Sequence, residues 1–238
     1  KFFKKITIRM RNFIHKLYEE GFKIRFEFFF FTLLAVLFGS LIVPEILFQE
    51  VLLPFLLLMN LIAGVVLVSK NRLLIWFFTL LFVIGLGMFI HFQVNPTEPR
   101  FGIIQLVLYG LFYAFVTVDV IRQVWNAKEV NKNVIIGLMT GYLSLGLLAF
   151  FIFLSIETAN PDSFQGTLIT NLSMEDRMDS LMYYSYITLL TIGYGEIIPV
   201  TAMAQKAAVL TGLIGQFYLV IITAVVVEKY VSYSKNNK

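Results

Sequence analysis

The sequence predicts an all-α membrane protein with six transmembrane helices and one re-entrant helix, and three observations carry that prediction. The first is composition: of 238 residues, 58% are hydrophobic and 14% charged, with a mean hydropathy of +0.81, outside the range of soluble globular domains. The second is distribution. Leu, Phe, Ile and Val gather in runs near or above the ~18 to 20 residues that cross a bilayer as a helix, and the charges fall in the gaps. The third is the absence of alternation. Strands of a membrane barrel alternate polar and apolar residues, whereas these runs are apolar all round, which excludes a barrel.

The amino-terminal stretch, 1–25, places Phe3, Ile6, Met10, Phe13, Ile14, Leu17 and Tyr18 at helical spacing, with Lys4, Lys5, Arg9, Arg11, His15 and Lys16 largely elsewhere on the wheel. A basic amphipathic helix of this kind lies on the anionic inner leaflet, so membrane lipid is its expected partner and nucleic acid is not. The same charges would also serve simply to hold this end in the cytoplasm, and both readings stay open. The first apolar run has no small-residue cleavage site after it and reads as a retained helix, not a signal peptide. The chain begins at Lys1 and not at Met, so further residues are expected upstream, and the same holds beyond Lys238.

The six apolar segments are 26–43, 51–68, 73–92, 101–124, 134–156 and 201–227. Between the fifth and sixth lies a mixed stretch, 178–190, too short and too polar to cross, which ends at Thr191-Ile192-Gly193-Tyr194-Gly195. Non-helical backbone at membrane depth is tolerated only where it is buried in protein or lines a water-filled path. Basic residues test the count of spans. Those at the amino terminus, Lys70, Arg72, Arg122, Lys128, Lys132, Lys229, Lys235 and Lys238 fall on one side, while the alternate gaps hold few cations and collect Glu45, Glu50, Glu98, Glu157, Asp162, Glu175, Asp176, Asp179 and Glu196. The positive-inside rule then predicts a multi-pass protein of the cell membrane with both termini cytoplasmic and the re-entrant loop entering from outside. The expected organisation is an interfacial helix at 1–25, a four-helix domain at 26–126, and a domain at 127–238 that holds the re-entrant element.

Ionisable chemistry is sparse. With no cysteine there is neither disulfide nor thiolate metal site, and His15 and His91 are too far apart in sequence to form a local ligand pair. No cofactor is expected. No intramembrane nucleophile, metal-ligand cluster or acid–base pair appears, which argues against an enzyme. His91 fits an interfacial histidine or a pH sensor. Ser173, with Asp176 three positions on, fits the cap of a helix starting near Met174, and the sequon Asn171-Leu172-Ser173 has the same explanation.

The string Tyr183 to Pro199, YYSYITLLTIGYGEIIP, resembles the pore helix and signature filter of the potassium channel family. The family pattern T-x-x-T-V-G-Y-G-D is met by Thr188, Thr191, Gly193, Tyr194 and Gly195, with Ile192 for Val and Glu196 for Asp. The resemblance implies a passive potassium-selective channel in which backbone carbonyls from four chains replace the hydration shell of K+. Potassium would be held at Thr191, Ile192, Gly193 and Tyr194, with Gly195 completing the filter. Tyr183, Tyr184, Thr188 and Glu196 would support it from behind. The residue chemistry agrees, because Gly193 and Gly195 can take positive φ without steric cost, as carbonyls in succession require. One motif and no internal repeat imply that each chain supplies a quarter of a homotetrameric, four-fold pore.

Gly215, with Gly212 one turn earlier, stands where the family has a gating-hinge glycine; close packing of small residues is the competing account. The apolar stretch 221–227 could close as a dewetting gate. The fourth segment lacks the repeated Arg or Lys of a voltage sensor, so strong voltage dependence is not expected. Asp119 is expected to pair with Arg122. Two rivals to a potassium channel remain at this level: a cation channel of relaxed selectivity, and a non-conducting regulatory subunit.

Overall fold

The computed structural model describes residues 24–44, 47–67, isolated positions between 76 and 87, 103–127, 131–169 and 174–236. The amphipathic stretch at 1–23, both histidines, most of the third apolar segment, and Asn171 and Ser173 lie outside the described residues. The chain divides into two units, Lys1–Val83 and Ile84–Lys238.

In the first unit, α1 (Arg25–Phe38) continues as a 3-10 turn, Gly39–Leu41. Its last helical-type bond runs from the Val43 N–H to the Gly39 carbonyl at 3.2 Å, just before Pro44, which disfavours helical backbone in the residue preceding it. A π-helical turn, Phe48–Leu52, leads into α2 (Leu53–Leu67). Pro54, which has no N–H to donate, sits where the π turn gives way to α-helix. The two helices bury Phe29, Leu33 and Val36 together with Leu57, Leu58 and Leu61. Within this apolar contact the Asn60 amide donates to Thr32 Oγ1 at 2.8 Å, and Thr32 in turn donates to the Phe29 carbonyl. A buried polar pair of this kind fixes the register of two helices whose contact is otherwise apolar.

In the second unit, α3 (Ile103–Trp125), α4 (Lys132–Ala159), α5 (Met174–Leu189) and α6 (Ala202–Asn236) follow in order. Among the described residues three helices are long and apolar enough to cross a bilayer: Leu106–Trp125, Lys132–Ala159 and Ala202–Glu228. These correspond to the fourth, fifth and sixth predicted segments. The protein is thus a helical membrane protein. Asn131 caps α4 by accepting from the Val134 N–H. The sixth helix runs nine residues beyond the predicted 227, since no Gly or Pro interrupts it there.

Three findings add to the sequence reading, and the second of them corrects it. First, α3 packs along α4: Tyr109 and Tyr113 both stack on Phe151, at 5.4 and 5.5 Å between ring centroids. Second, Asp119 does not pair with Arg122; its carboxylate accepts from Gln123 Nε2 at 2.6 Å, four residues on and on the same helix face. Third, one short strand pair accompanies the helices of this all-α fold. Phe164–Gln165 (β1) and Ile198–Pro199 (β2) pair antiparallel, Phe164 opposite Pro199 and Gln165 opposite Ile198.

Tyrosine hydroxyls join the helices of this unit. Tyr186 of α5 donates to the Leu143 carbonyl of α4 at 2.7 Å, and Tyr218 of α6 donates to the Leu138 carbonyl at 2.7 Å. Both rings fit because a glycine faces them: a Cβ at Gly146 would overlap the Tyr186 ring, and one at Gly141 would strike the Tyr218 hydroxyl. The helices differ in how much of them is covered. Over its most apolar window α4 is 56% buried, whereas α6 is 17% buried, with Val209, Phe217 and Val220 among the exposed side chains.

Candidate ion filter

The segment from Thr191 to Gly195 begins where α5 stops, and the stop has a definite form. The Ile192 N–H bonds to the Ile187 carbonyl at 2.8 Å and the Thr191 N–H to the Thr188 carbonyl at 3.0 Å. These two bonds form a Schellman motif, which requires a left-handed residue at its penultimate place. That residue is Thr191, at φ 58°. Glycine usually fills this position, and a β-branched residue held there costs on the order of 1 to 3 kcal/mol. The other end carbonyls are also satisfied: Tyr186 O accepts from the Leu190 N–H at 2.8 Å, and Leu189 O accepts from the Tyr142 hydroxyl at 3.2 Å. All four terminal carbonyls of α5 therefore have protein partners.

From Thr191 the backbone alternates. Gly193 has φ 57° and Gly195 φ 96°, while Ile192 and Tyr194 are not in the positive region. Alternation between left- and right-handed residues is the condition under which successive peptide groups turn the same edge to one side. The glycines were legible as positive-φ positions from the sequence. Thr191 was not, since only the hydrogen bonds that end α5 impose its conformation. The segment is exposed along its length in the single chain, with Tyr194 at 68%.

The residues that the sequence suggested as supports separate into two groups. Tyr184 is buried behind the segment, its ring 5.2 Å from that of Phe153 and 5.4 Å from that of Phe164. Tyr183, its neighbour, is half exposed and lies within electrostatic reach of Glu196 and Tyr194. Ile187 is buried and gives Glu196 nothing to bond. Glu196 itself is half-buried, and its Oε2 is shielded from solvent without a hydrogen-bond partner. Thr188 supplies the carbonyl that holds Thr191.

The segment's C-terminal end is fastened by contacts that the sequence did not indicate. After β2 the Val200 N–H donates to the Ser163 carbonyl at 2.9 Å. Gly166, at φ 141°, lies so close to the Glu196 carbonyl that an added Cβ would overlap it. Glu157, fully buried in the last turn of α4, accepts from the Asp162 N–H at 3.0 Å and the Phe164 N–H at 3.2 Å, and forms an ion pair with Arg177 of α5. Arg177 also reaches Asp162 Oδ1 at 3.0 Å. Burial alone would lower the Arg177 pKa, but the hydrogen bonds to Asp162 and Glu157 and their charges raise it above its ordinary value. An acid at the negative end of a helix is unfavourable by itself. That misplacement was the available signal that Glu157 has a dedicated partner.

At the other end of the segment, Gly215 marks a close approach of α6 to α5. A Cβ there would overlap the Leu189 carbonyl oxygen and stand 3.0 Å from Leu189 Cδ1. Gly212 is looser, its nearest neighbour being the Thr188 carbonyl at 3.8 Å. Close packing therefore gives the glycine at 215 a role in the fold, beside the hinge role that the sequence suggested. One residue further, Gln216 Nε2 donates to Thr191 Oγ1 at 3.0 Å. Gln216 was missed, although an amide inside an apolar helix is a signal in its own right.

A helical membrane unit in which a short helix, α5, delivers an alternating backbone segment beside a long, sparsely covered helix, α6, is the class that this architecture defines. Residues 141–232, which run from α4 through α5 and the filter segment into α6, match the family described as ion channel. The likeness covers this part of the chain, somewhat under half of its length. Comparison with curated proteins gives no match, and comparison with solved structures gives none either.

Proposed function

We propose that the protein is a subunit of a potassium-selective channel, four copies of which surround one pore and pass K+ down its gradient. The observation that carries this reading is the alternation of φ at Thr191, Gly193 and Gly195, within a region that matches the ion-channel family. K+ leaves water only if oxygens replace its hydration shell. In this reading the carbonyls of Thr191, Ile192, Gly193 and Tyr194 provide them, and the Thr191 hydroxyl adds an oxygen at the inner end. Ile192 and Tyr194 point away from the ions and wedge the filter against neighbouring chains, which explains why they are exposed in one chain alone. The C-terminal end of α5 faces the pore and favours a cation by ~0.3 to 1 kcal/mol per helix.

The uncovered surface of α6 supports the tetramer, since a helix that contacts its own chain on one side only has the rest available for other copies and for lipid. The channel sits in the cell membrane with both termini cytoplasmic. Anionic lipid is the partner of the amino-terminal helix. With one basic residue, Arg122, in α3, voltage is not the main control of opening.

The test is flux from purified protein in liposomes, with reversal potentials in mixed K+ and Na+. Gly193→Ala should degrade selectivity while the tetramer still assembles, because the left-handed backbone opposes a Cβ although no neighbour lies within 4 Å. Equal K+ and Na+ permeability in the wild type would mean relaxed selectivity, and no flux from the protein alone would mean a regulatory subunit.

A further inference from the structure

Among the described residues, Thr191 is the one β-branched residue with positive φ. The Schellman bonds hold its backbone, but they leave its side chain free to rotate. The side chain has its own restraint. Gln216 Nε2 donates to Thr191 Oγ1 at 3.0 Å, across 25 residues of sequence. Gln216 is placed to do so by Gly215, where α6 comes close enough to α5 to leave no room for a Cβ. The neighbouring polar side chains of α6 are directed elsewhere: Thr211 donates to the Ala207 carbonyl of its own helix and Tyr218 to the Leu138 carbonyl.

We infer that Gln216 is a positioning residue for ion selection, which orients the Thr191 hydroxyl at the inner end of the filter by donating an amide hydrogen to it. This rests on the proposed function above. A threonine hydroxyl has two lone pairs and one proton. With one lone pair taken by Gln216, the proton cannot point toward α6 and the second lone pair is left for a cation. Without the amide, the hydroxyl rotates, and the inner oxygen ring is present in composition but not held in place. The nearby alternative is an exposed amide that bonds Thr191 with no effect on ion binding.

Ba2+, a doubly charged ion close to K+ in size, is the probe of the oxygen cage. Full-length protein is reconstituted in vesicles of phosphatidylethanolamine and phosphatidylglycerol, and cytoplasmic Ba2+ block of K+ flux is titrated for wild type, Gln216→Met, Thr191→Val and the double variant. One ordinary net hydrogen bond corresponds to a factor of about 2 to 13, so Gln216→Met should weaken block by that amount. Thr191→Val should weaken it at least as much, and the double variant should be no weaker than Thr191→Val, since the cycle removes a shared interaction. Gln216→Leu repeats the cycle should the Met variant not assemble. Block by Gln216→Met equal to wild type, or effects that add in the double variant, overturn the inference while leaving the filter reading intact. No change in block or in K+ over Na+ selectivity for Thr191→Val overturns the filter reading, and the inference with it.

Discussion

Gly215 and Gly212 lie one turn apart on α6, and replacing each by Ala separates packing from hinge motion. Both gain helix propensity, about 1 kcal/mol relative to Gly. At Gly212 nothing opposes the gain, because the new methyl would meet only the Thr188 carbonyl at 3.8 Å. At Gly215 the methyl overlaps the Leu189 carbonyl oxygen, which is backbone at the end of α5 and cannot rotate aside as a side chain would. Overpacking costs ~1 to 3 kcal/mol. Moving that carbonyl also disturbs its 3.2 Å bond from the Tyr142 hydroxyl, worth roughly 0.5 to 1.5 kcal/mol. After the propensity gain is subtracted, Gly215→Ala is destabilised by about 0.5 to 3.5 kcal/mol, whereas Gly212→Ala is stabilised by up to about 1 kcal/mol. Thermal unfolding of the detergent-solubilised protein, followed by size-exclusion chromatography, measures both. Stabilisation of both variants to the same degree, with a loss of channel opening at Gly215→Ala alone, would refute the packing argument in favour of a hinge.

Other substitutions test the outer scaffold and the gating reading. Arg177→Met leaves Glu157 buried without its cation and should cost ~3 to 5 kcal/mol in thermal or denaturant unfolding. Glu157→Gln keeps an oxygen for one of the two loop N–H groups and should cost less, ~1 to 3 kcal/mol; the reverse order would contradict the buried-pair account. Gly166→Ala, at φ 141° and against the Glu196 carbonyl, should open the β1–β2 pair and raise hydrogen exchange at the Val200 amide, and unchanged exchange would count against that tether. In planar bilayers the slope of open probability with voltage should correspond to no more than about one gating charge per subunit. A slope of several charges would place a sensor where α3 offers only Arg122.

Much of this protein is local information. Composition and run length are enough to give helices in a membrane, because the bilayer admits few other solutions. TIGYG marks the candidate filter segment, because positive φ at Gly193 and Gly195 depends on those residues having no Cβ. The tertiary structure decided what depends on contacts between distant residues. Membrane helices are apolar on every face, so no periodicity says which face packs, and the sequence could not show that α3 lies on α4 or that Gly215, more than Gly212, is the tight contact. The ion pair of Glu157 with Arg177 spans 20 residues, the bond of Gln216 to Thr191 spans 25, and the tie from Tyr142 to Leu189 spans 47. Thr191 shows the division within one residue. Its place in the motif is written in the sequence, but its left-handed backbone follows only from how α5 ends and its hydroxyl's partner only from how α6 passes beside it.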